Sequence, residues 1–207
     1  MNHQPTVGII DDDEAIRESL RLLLFAAGIR SRSYDSANAF LADKDMPDIA
    51  CILLDIRMPG MDGLDLFQRL RQEKAPYPVI FITGHGDIPL AVAAIKQGAF
   101  DFLTKPFREG ELLDRVQAAM GYFQTVCEQM RSLQTLKERV ASCTPRELEV
   151  MHLMVQGLPN KRIADDLHIS PRTVEIHRAH VLEKMQADSL PDLVRMVAAL
   201  QGQVTQS

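Results

Sequence analysis

The chain has 207 residues, 46% of them hydrophobic, with a formal net charge of −5, which is material for one large domain or two small packed ones. No apolar run reaches the roughly 18 residues of a membrane span, and the start, MNHQPTVGIIDDD, lacks a basic segment followed by an apolar one, so a soluble, cytoplasmic protein with no membrane partner is expected. Three cysteines, Cys51, Cys127 and Cys143, with no Cys-x-x-Cys pair, exclude a disulfide framework and a structural zinc site.

Taken in order, the apolar runs TVGII, ACILLD, PVIFIT and FDFLT alternate with helical patterns, and a weaker strand, IRSRSY, follows the first helix. That helix places Ile16, Leu20, Leu23, Leu24 and Ala27 on one face and stops at Gly28, and the next begins near Ser36. A strand–helix unit repeated five times, with strands this apolar, predicts an α/β domain built on a doubly wound five-stranded parallel sheet. Ligands of such sheets bind outside the carboxyl ends of the strands.

Those ends collect chemistry. The first strand ends in Asp11, Asp12 and Asp13, the third in Asp55, the fourth in Thr83, and the fifth in Thr104 and Lys105. Carboxylates crowded on one rim repel each other unless a cation joins them, and an all-oxygen ligand set suits Mg²⁺. With the metal and Lys105 neutralising phosphoryl oxygens and Thr83 donating a hydrogen bond, Asp55 can attack phosphorus and become an aspartyl phosphate. Taken singly, such residues more often cap helices or shape turns. Their joint placement at four strand ends favours a site.

Residues 122–140 contain no Gly or Pro and place Val126, Met130, Leu133 and Val140 near heptad spacing, which predicts a helical linker over 124–143, between a domain at 1–123 and another at 144–207. The second domain opens on TPREL, with Thr144 as N-cap, Pro145 at the first helical position and Glu147 closing a capping box. This helix runs to Gly157. Asn160 is expected to cap a short helix, KRIADDL; a turn at His168-Ile169 follows, and Ser170-Pro171 opens a third helix ending near Met185. Ser189 and Asp192 introduce a fourth, with Leu190, Leu193, Val194, Val197 and Leu200 at helical spacing. The pattern is a small all-α domain containing a helix-turn-helix.

On the third helix, Val174, His177, Val181 and Met185 form an inward stripe. Arg172, Glu175, Ile176, Ala179 and Glu183 lie opposite, flanked by Thr173, His180 and Lys184. In a major groove, Ile176 and Ala179 suit thymine methyl groups, Glu175 a cytosine amine, and Arg172 guanine or phosphate. Asn160, Lys161, Thr173 and Lys184 suit phosphates. Charge leaves this open: residues 144–207 carry 7 basic and 8 acidic side chains, against 13 and 18 in residues 1–123, and a three-helix unit also serves as a protein-interaction module. His177 and His180 have a metal-ligand spacing, but His177 faces the core stripe.

The acidic pair Asp11 and Asp12, Asp55 followed by IRMPGMDG, Thr83 and the KPF at 105–107 resemble the receiver (flavodoxin-like) domain of two-component response regulators. TGHGDIPLAVAAIKQGAFDFLTKPF is similar to FixJ-type members. TPRELEVMHLMVQGLPNKRIADDLHISPRTVEIHRAHVLEKMQADSL is similar to the LuxR-type output domain of FixJ-like and NarL-like regulators, departing from many relatives in Glu175 where they carry Lys. The resemblance implies that Asp12, Asp55 and the backbone carbonyl of Arg57 ligate Mg²⁺, that Asp11 contributes through water, and that the Lys105–Pro106 bond is cis. It further implies that a sensor histidine kinase is the phosphodonor and Phe102 the switch aromatic. On this reading phosphorylation draws in Thr83 and Lys105, Phe102 follows, and the chain forms a homodimer. The dimer then binds a two-fold operator, with the fourth output helix pairing the two DNA-bound domains, and acts on RNA polymerase as an activator. The chain is then no enzyme beyond self-phosphorylation from small phosphodonors and autodephosphorylation. Two other readings stand beside it: a constitutive DNA-binding regulator with a non-signalling receiver, and an Mg²⁺-dependent phosphatase of the haloacid-dehalogenase type. Against the last, the second position after Asp55 is Arg57 and not a general acid.

Overall fold

The computed structural model describes residues 5–43, 49–84 and 87–201. His85 and Gly86 of the TGHGD segment lie outside the described residues, as do the outer ends of the first and last expected domains. The chain divides into two compact units, Met1–Cys127 and Glu128–Ser207.

The first unit alternates strand and helix: β1 (Thr6–Ile10), α1 (Glu14–Ala26), β2 (Arg30–Tyr34), α2 (Ala37–Ala42), β3 (Ile49–Asp55), α3 (Gly63–Gln72), β4 (Val79–Thr83), α4 (Ile88–Lys96), β5 (Asp101–Thr104) and the start of α5 (Glu109–Ala141). All neighbouring strands are parallel, in the order β2-β1-β3-β4-β5. The winding therefore reverses between β1 and β3, and a crevice opens at their carboxyl ends. Period-two alternation sends side chains to two separate cores. Ile10, Ile52, Leu54, Val79 and Phe81 face one core with Phe40, Leu66, Phe67 and Leu70, and Val7, Ile9, Cys51, Leu53, Ile80 and Ile82 face the other with Leu20, Leu24, Leu112 and Val116. The sheet is thus buried on both faces, which is why its central strands are apolar throughout. On α1, Leu20 and Leu24 are buried, but Ala27 is an exposed C-cap, since the helix ends one residue short of the expected face. Ser36 caps α2 by accepting from the Ala39 N–H.

The second unit packs the end of α5 with α6 (Pro145–Val155), α7 (Asn160–Leu167), α8 (Pro171–Met185) and α9 (Leu190–Gln201). Its core contains Val150, Met154, Ile163, Val174, Val181, Met185 and Leu193, with Leu136 and Val140 of α5 packed against it. Thr144 and Glu147 form the capping box of α6. One expected cap is corrected: Asn160 is the first residue of α7, and Pro159 occupies the N-cap position without a side-chain hydrogen bond. Proline has the extended backbone a cap needs, so the boundary falls one residue earlier and leaves the Asn160 side chain out of that role. His168 and Gln186 close α7 and α8 in left-handed conformation. Among the described residues no helix is long and apolar enough to cross a membrane.

A single glycine seats the strand that carries Asp55. The Gly63 N–H donates to the Ile56 carbonyl at 3.0 Å, and a Cβ on residue 63 would stand 2.0 Å from the Asp55 backbone oxygen. No side chain fits, because the atom in the way belongs to rigid strand backbone. Gly63→Ala is therefore expected to destabilise the first unit by more than about 2 kcal/mol, measured by thermal or urea unfolding, whereas alanine at the exposed Gly110, where a Cβ meets nothing within 4 Å, should leave stability nearly unchanged.

Candidate functional site

The reversal of winding gathers the expected rim residues from distant positions. Lys105 Nζ lies 2.7 Å from Asp55 Oδ1 and 3.0 Å from Asp11 Oδ2. One ammonium bridges two carboxylates. Asp11 and Asp55 are buried, and the Lys105 side chain remains 27% exposed. The Arg57 N–H holds the other Asp55 oxygen at 2.6 Å, and Asp11 Oδ1 accepts from the Asp13 N–H at 2.9 Å. Burial pushes the Asp55 carboxyl above its ordinary value; the hydrogen bond and charge of Lys105 pull it back, the Asp11 charge adds to the rise, and the Arg57 N–H favours the anion. Burial opposes the charge on Lys105, but its bonds to Asp55 and Asp11 outweigh that and raise its pKa. The Lys105–Pro106 bond is cis.

The three consecutive aspartates part company. Asp11 turns inward to Lys105, Asp12 is exposed, and Asp13 caps α1 by accepting from the Ala15 and Ile16 N–H groups. Asp12 lines a cavity of about 490 Å³ with Arg57, Met58, Pro59, Gly60, Asp62 and Leu90. Thr83 is buried at the same rim and donates to the Gly84 carbonyl at 3.1 Å. Phe102 is partly buried against the core beneath α3 and α4. Among the described residues no three His, Cys, Asp or Glu side chains already converge as metal ligands; Lys105 holds the position between Asp11 and Asp55.

Two features of this rim were not legible in the chain. The Arg57 guanidinium reaches Asp87, with Nε and Nη2 at 2.8 and 2.6 Å from Oδ1, joining the loop after β3 to the start of α4 across thirty positions of sequence. Gly63 is the other, although its place at the end of IRMPGMDG marked it as part of the turn.

In the second unit, α8 divides as its periodicity predicts. Val174, Val181 and Met185 are fully buried, and Arg172, Glu175, Ile176, Ala179 and His180 are exposed, with Lys161 exposed at the start of α7. Asn160, Thr173 and Lys184 are partly buried. The Thr173 N–H and hydroxyl both meet the Ser170 hydroxyl at the helix start. Lys184 is less free than its position on the wheel implies: Nζ donates to Glu147 Oε2 at 2.6 Å, and His180 Nδ1 lies 3.5 Å from Glu147 Oε1. Glu147 thus closes the α6 capping box and anchors α8 together. Arg146 donates to the Leu167 carbonyl at 2.5 Å, closing the end of α7. The buried Nδ1 of His177 has no hydrogen-bond partner among the described residues.

Two stability measurements check these charges. Lys105→Ala leaves two neighbouring carboxylates without their cation, and unfolding should show a loss of about 2 kcal/mol near neutral pH, below the range for fully buried pairs because the ammonium is partly solvated. For Glu147, the hydrogen bond from Lys184, followed by that from the Thr144 N–H, lowers the carboxyl from 4.5 to about 2. A depressed carboxyl contributes stability above its unfolded pKa and loses it as pH falls through the folded value. Glu147→Gln can keep the cap but not the charge, so the stability gap between wild type and this variant should be full above about pH 5.5 and shrink towards nothing near about pH 2.

Residues 7–117 match the model described as the response regulator receiver domain, and residues 141–197 match the bacterial regulatory proteins of the luxR family. The transcriptional regulatory protein FixJ of Bradyrhizobium diazoefficiens is 45% identical over 91% of this chain and 92% of its own length. The response regulator protein TmoT of Ectopseudomonas mendocina is 43% identical over 97% and 91%. Among solved structures, the response regulator StyR superposes with a TM-score of 0.86 at 40% identity, covering 94% of this chain and 98% of that one. Full-length FixJ from B. japonicum gives 0.59 at 43% identity, covering 95% and 97%. With both matches in place and the rim residues of the receiver assembled, the chain belongs to the FixJ-like two-component response regulators, which join a receiver domain to a LuxR-type DNA-binding domain and regulate transcription in response to phosphorylation.

Proposed function

We propose that Asp55 is the phosphoacceptor, charged by a sensor histidine kinase, and that its phosphorylation drives homodimerisation and binding to a two-fold operator. The observation that carries this is the bond of Lys105 to both Asp55 and Asp11. It places a carboxylate oxygen at the strand end beside a cation able to meet phosphoryl oxygens. Thr83, whose hydroxyl is spent on its neighbour's carbonyl, is free to exchange that bond for a phosphoryl oxygen. Phe102, on the strand paired with β4, is the aromatic that follows. The new charge of about −2 is the driving force.

Mg²⁺ fits the donor set. Asp11, Asp12, Asp55 and the Arg57 carbonyl offer oxygen alone, and two buried carboxylates sharing one ammonium leave negative charge uncompensated. When bound, the ion supplies charge neutralisation for the phosphoryl oxygens.

In the output domain, Arg172, Glu175, Ile176 and Ala179 are assigned to base edges, and Asn160, Lys161 and Thr173 to phosphates. His180 and Lys184 belong to the same face, with Lys184 shared with Glu147. Regulation runs through RNA polymerase, in the direction of activation.

Incubating the full chain with acetyl phosphate and Mg²⁺ should label the wild type and leave Asp55→Ala unlabelled, and labelling should raise affinity for operator DNA at least tenfold through dimerisation. DNA binding indifferent to labelling would favour the constitutive regulator. Rapid hydrolysis of many phosphate esters would favour the phosphatase.

A further inference from the structure

The carboxyl end of α8 is closed by a residue from outside the helix-turn-helix. Arg139, in the last turn of α5, donates through Nη1 to the Met185 carbonyl at 3.1 Å and through Nη2 to Gln186 Oε1 at 2.5 Å. Its neighbours Leu136 and Val140 pack on the core that holds Val181 and Met185. Glu147 of α6 grips Lys184, one residue before the same end. The last turn of α8 is therefore held by two other helices through charged hydrogen bonds, which are the stronger and more directional kind. A guanidinium also complements the negative end of the helix dipole, and its planar fork serves two acceptors together, where an ammonium is a point charge.

We propose that Arg139 is a positioning residue for DNA recognition: it sets the C-terminal end of α8, and with it the placement of Ile176, Ala179 and His180, so that the DNA-reading unit includes the end of the linker helix. This rests on the reading of α8 as the helix that enters the groove. Base contacts demand placement within about half an ångström, whereas phosphate contacts from flexible side chains tolerate displacement. Loss of Arg139 should therefore weaken reading more than general DNA attraction.

The experiment uses the full chain, phosphorylated with acetyl phosphate, and a duplex selected by the wild type from a random pool, compared with a scrambled duplex of the same length. Binding is measured well below the unfolding temperature of each variant. Arg139→Ala is expected to lose about tenfold for the selected duplex while changing little for the scrambled one, with Asp55 labelling unchanged. Arg139→Lys should recover part of the loss, and Glu138→Ala, on the neighbouring exposed carboxylate, should behave as wild type. If Arg139→Ala fails to fold, Gln186→Ala removes one of the two acceptors and should show a smaller loss in the same direction. A lowered thermal midpoint with an unaltered selected-to-scrambled ratio overturns the proposal, since Arg139 is then a structural cap alone. Glu175→Ala, at an exposed residue assigned only to a base edge, is the control for the underlying reading: if it leaves that ratio unaltered, the assignment of α8 itself fails, and the Arg139 proposal with it.

Discussion

Two buried carboxylates compete for one ammonium at the end of the parallel sheet, and the receiver unit is organised around that arrangement. Asp11 follows β1 directly, Asp55 ends β3 and Lys105 follows β5, so the contact exists only when all three strand ends are in register. In water such a triad would contribute little. Here burial raises the energy of each charge, and the triad persists because the ammonium is hydrogen-bonded to both partners while backbone N–H groups from Asp13 and Arg57 satisfy the remaining carboxylate oxygens. The result is a rim where two carboxylates share one cation.

The surrounding loops serve that geometry. Gly63 brings α3 against the Asp55 carbonyl, closer than any side chain permits. The loop between them sends the Arg57 backbone to Asp55 and its guanidinium to Asp87, so the Asp55 carboxylate and the start of α4 share one residue. A change of charge at Asp55 thus meets a hydrogen-bonded connection that already reaches the helix after Thr83.

The output unit solves a different problem by similar means. Its surface charge is nearly balanced, and particular pairs tie its helices together: Glu147 with Lys184 of α8, Arg146 with the end of α7, Arg139 with the end of α8. α5 contributes to both cores, with Leu112, Val116 and Ala119 in the receiver and Leu136 and Val140 in the output unit.

The amino-acid sequence determined the local elements and their order. Short apolar runs that lead into Asp or Thr and alternate with helical patterns read as buried parallel strands with polar carboxyl ends, and the TPREL and SPRT segments carry their caps within three residues. Interactions of that range are written in adjacent side chains, and so is the division of α8 into Val174, Val181 and Met185 against Ile176 and Ala179. The cap of α7 escaped because Pro159 and Asn160 each satisfy part of the signal. Only the tertiary structure decided which of Asp11, Asp12 and Asp13 turns inward, that Arg57 reaches Asp87, that Gly63 has no room for a carbon, and that Lys184 belongs partly to Glu147. Each of these depends on the packing angle of a helix or the path of a loop across thirty or more positions, or on the direction of one carboxylate among equals, and periodicity along the chain carries no information about any of them.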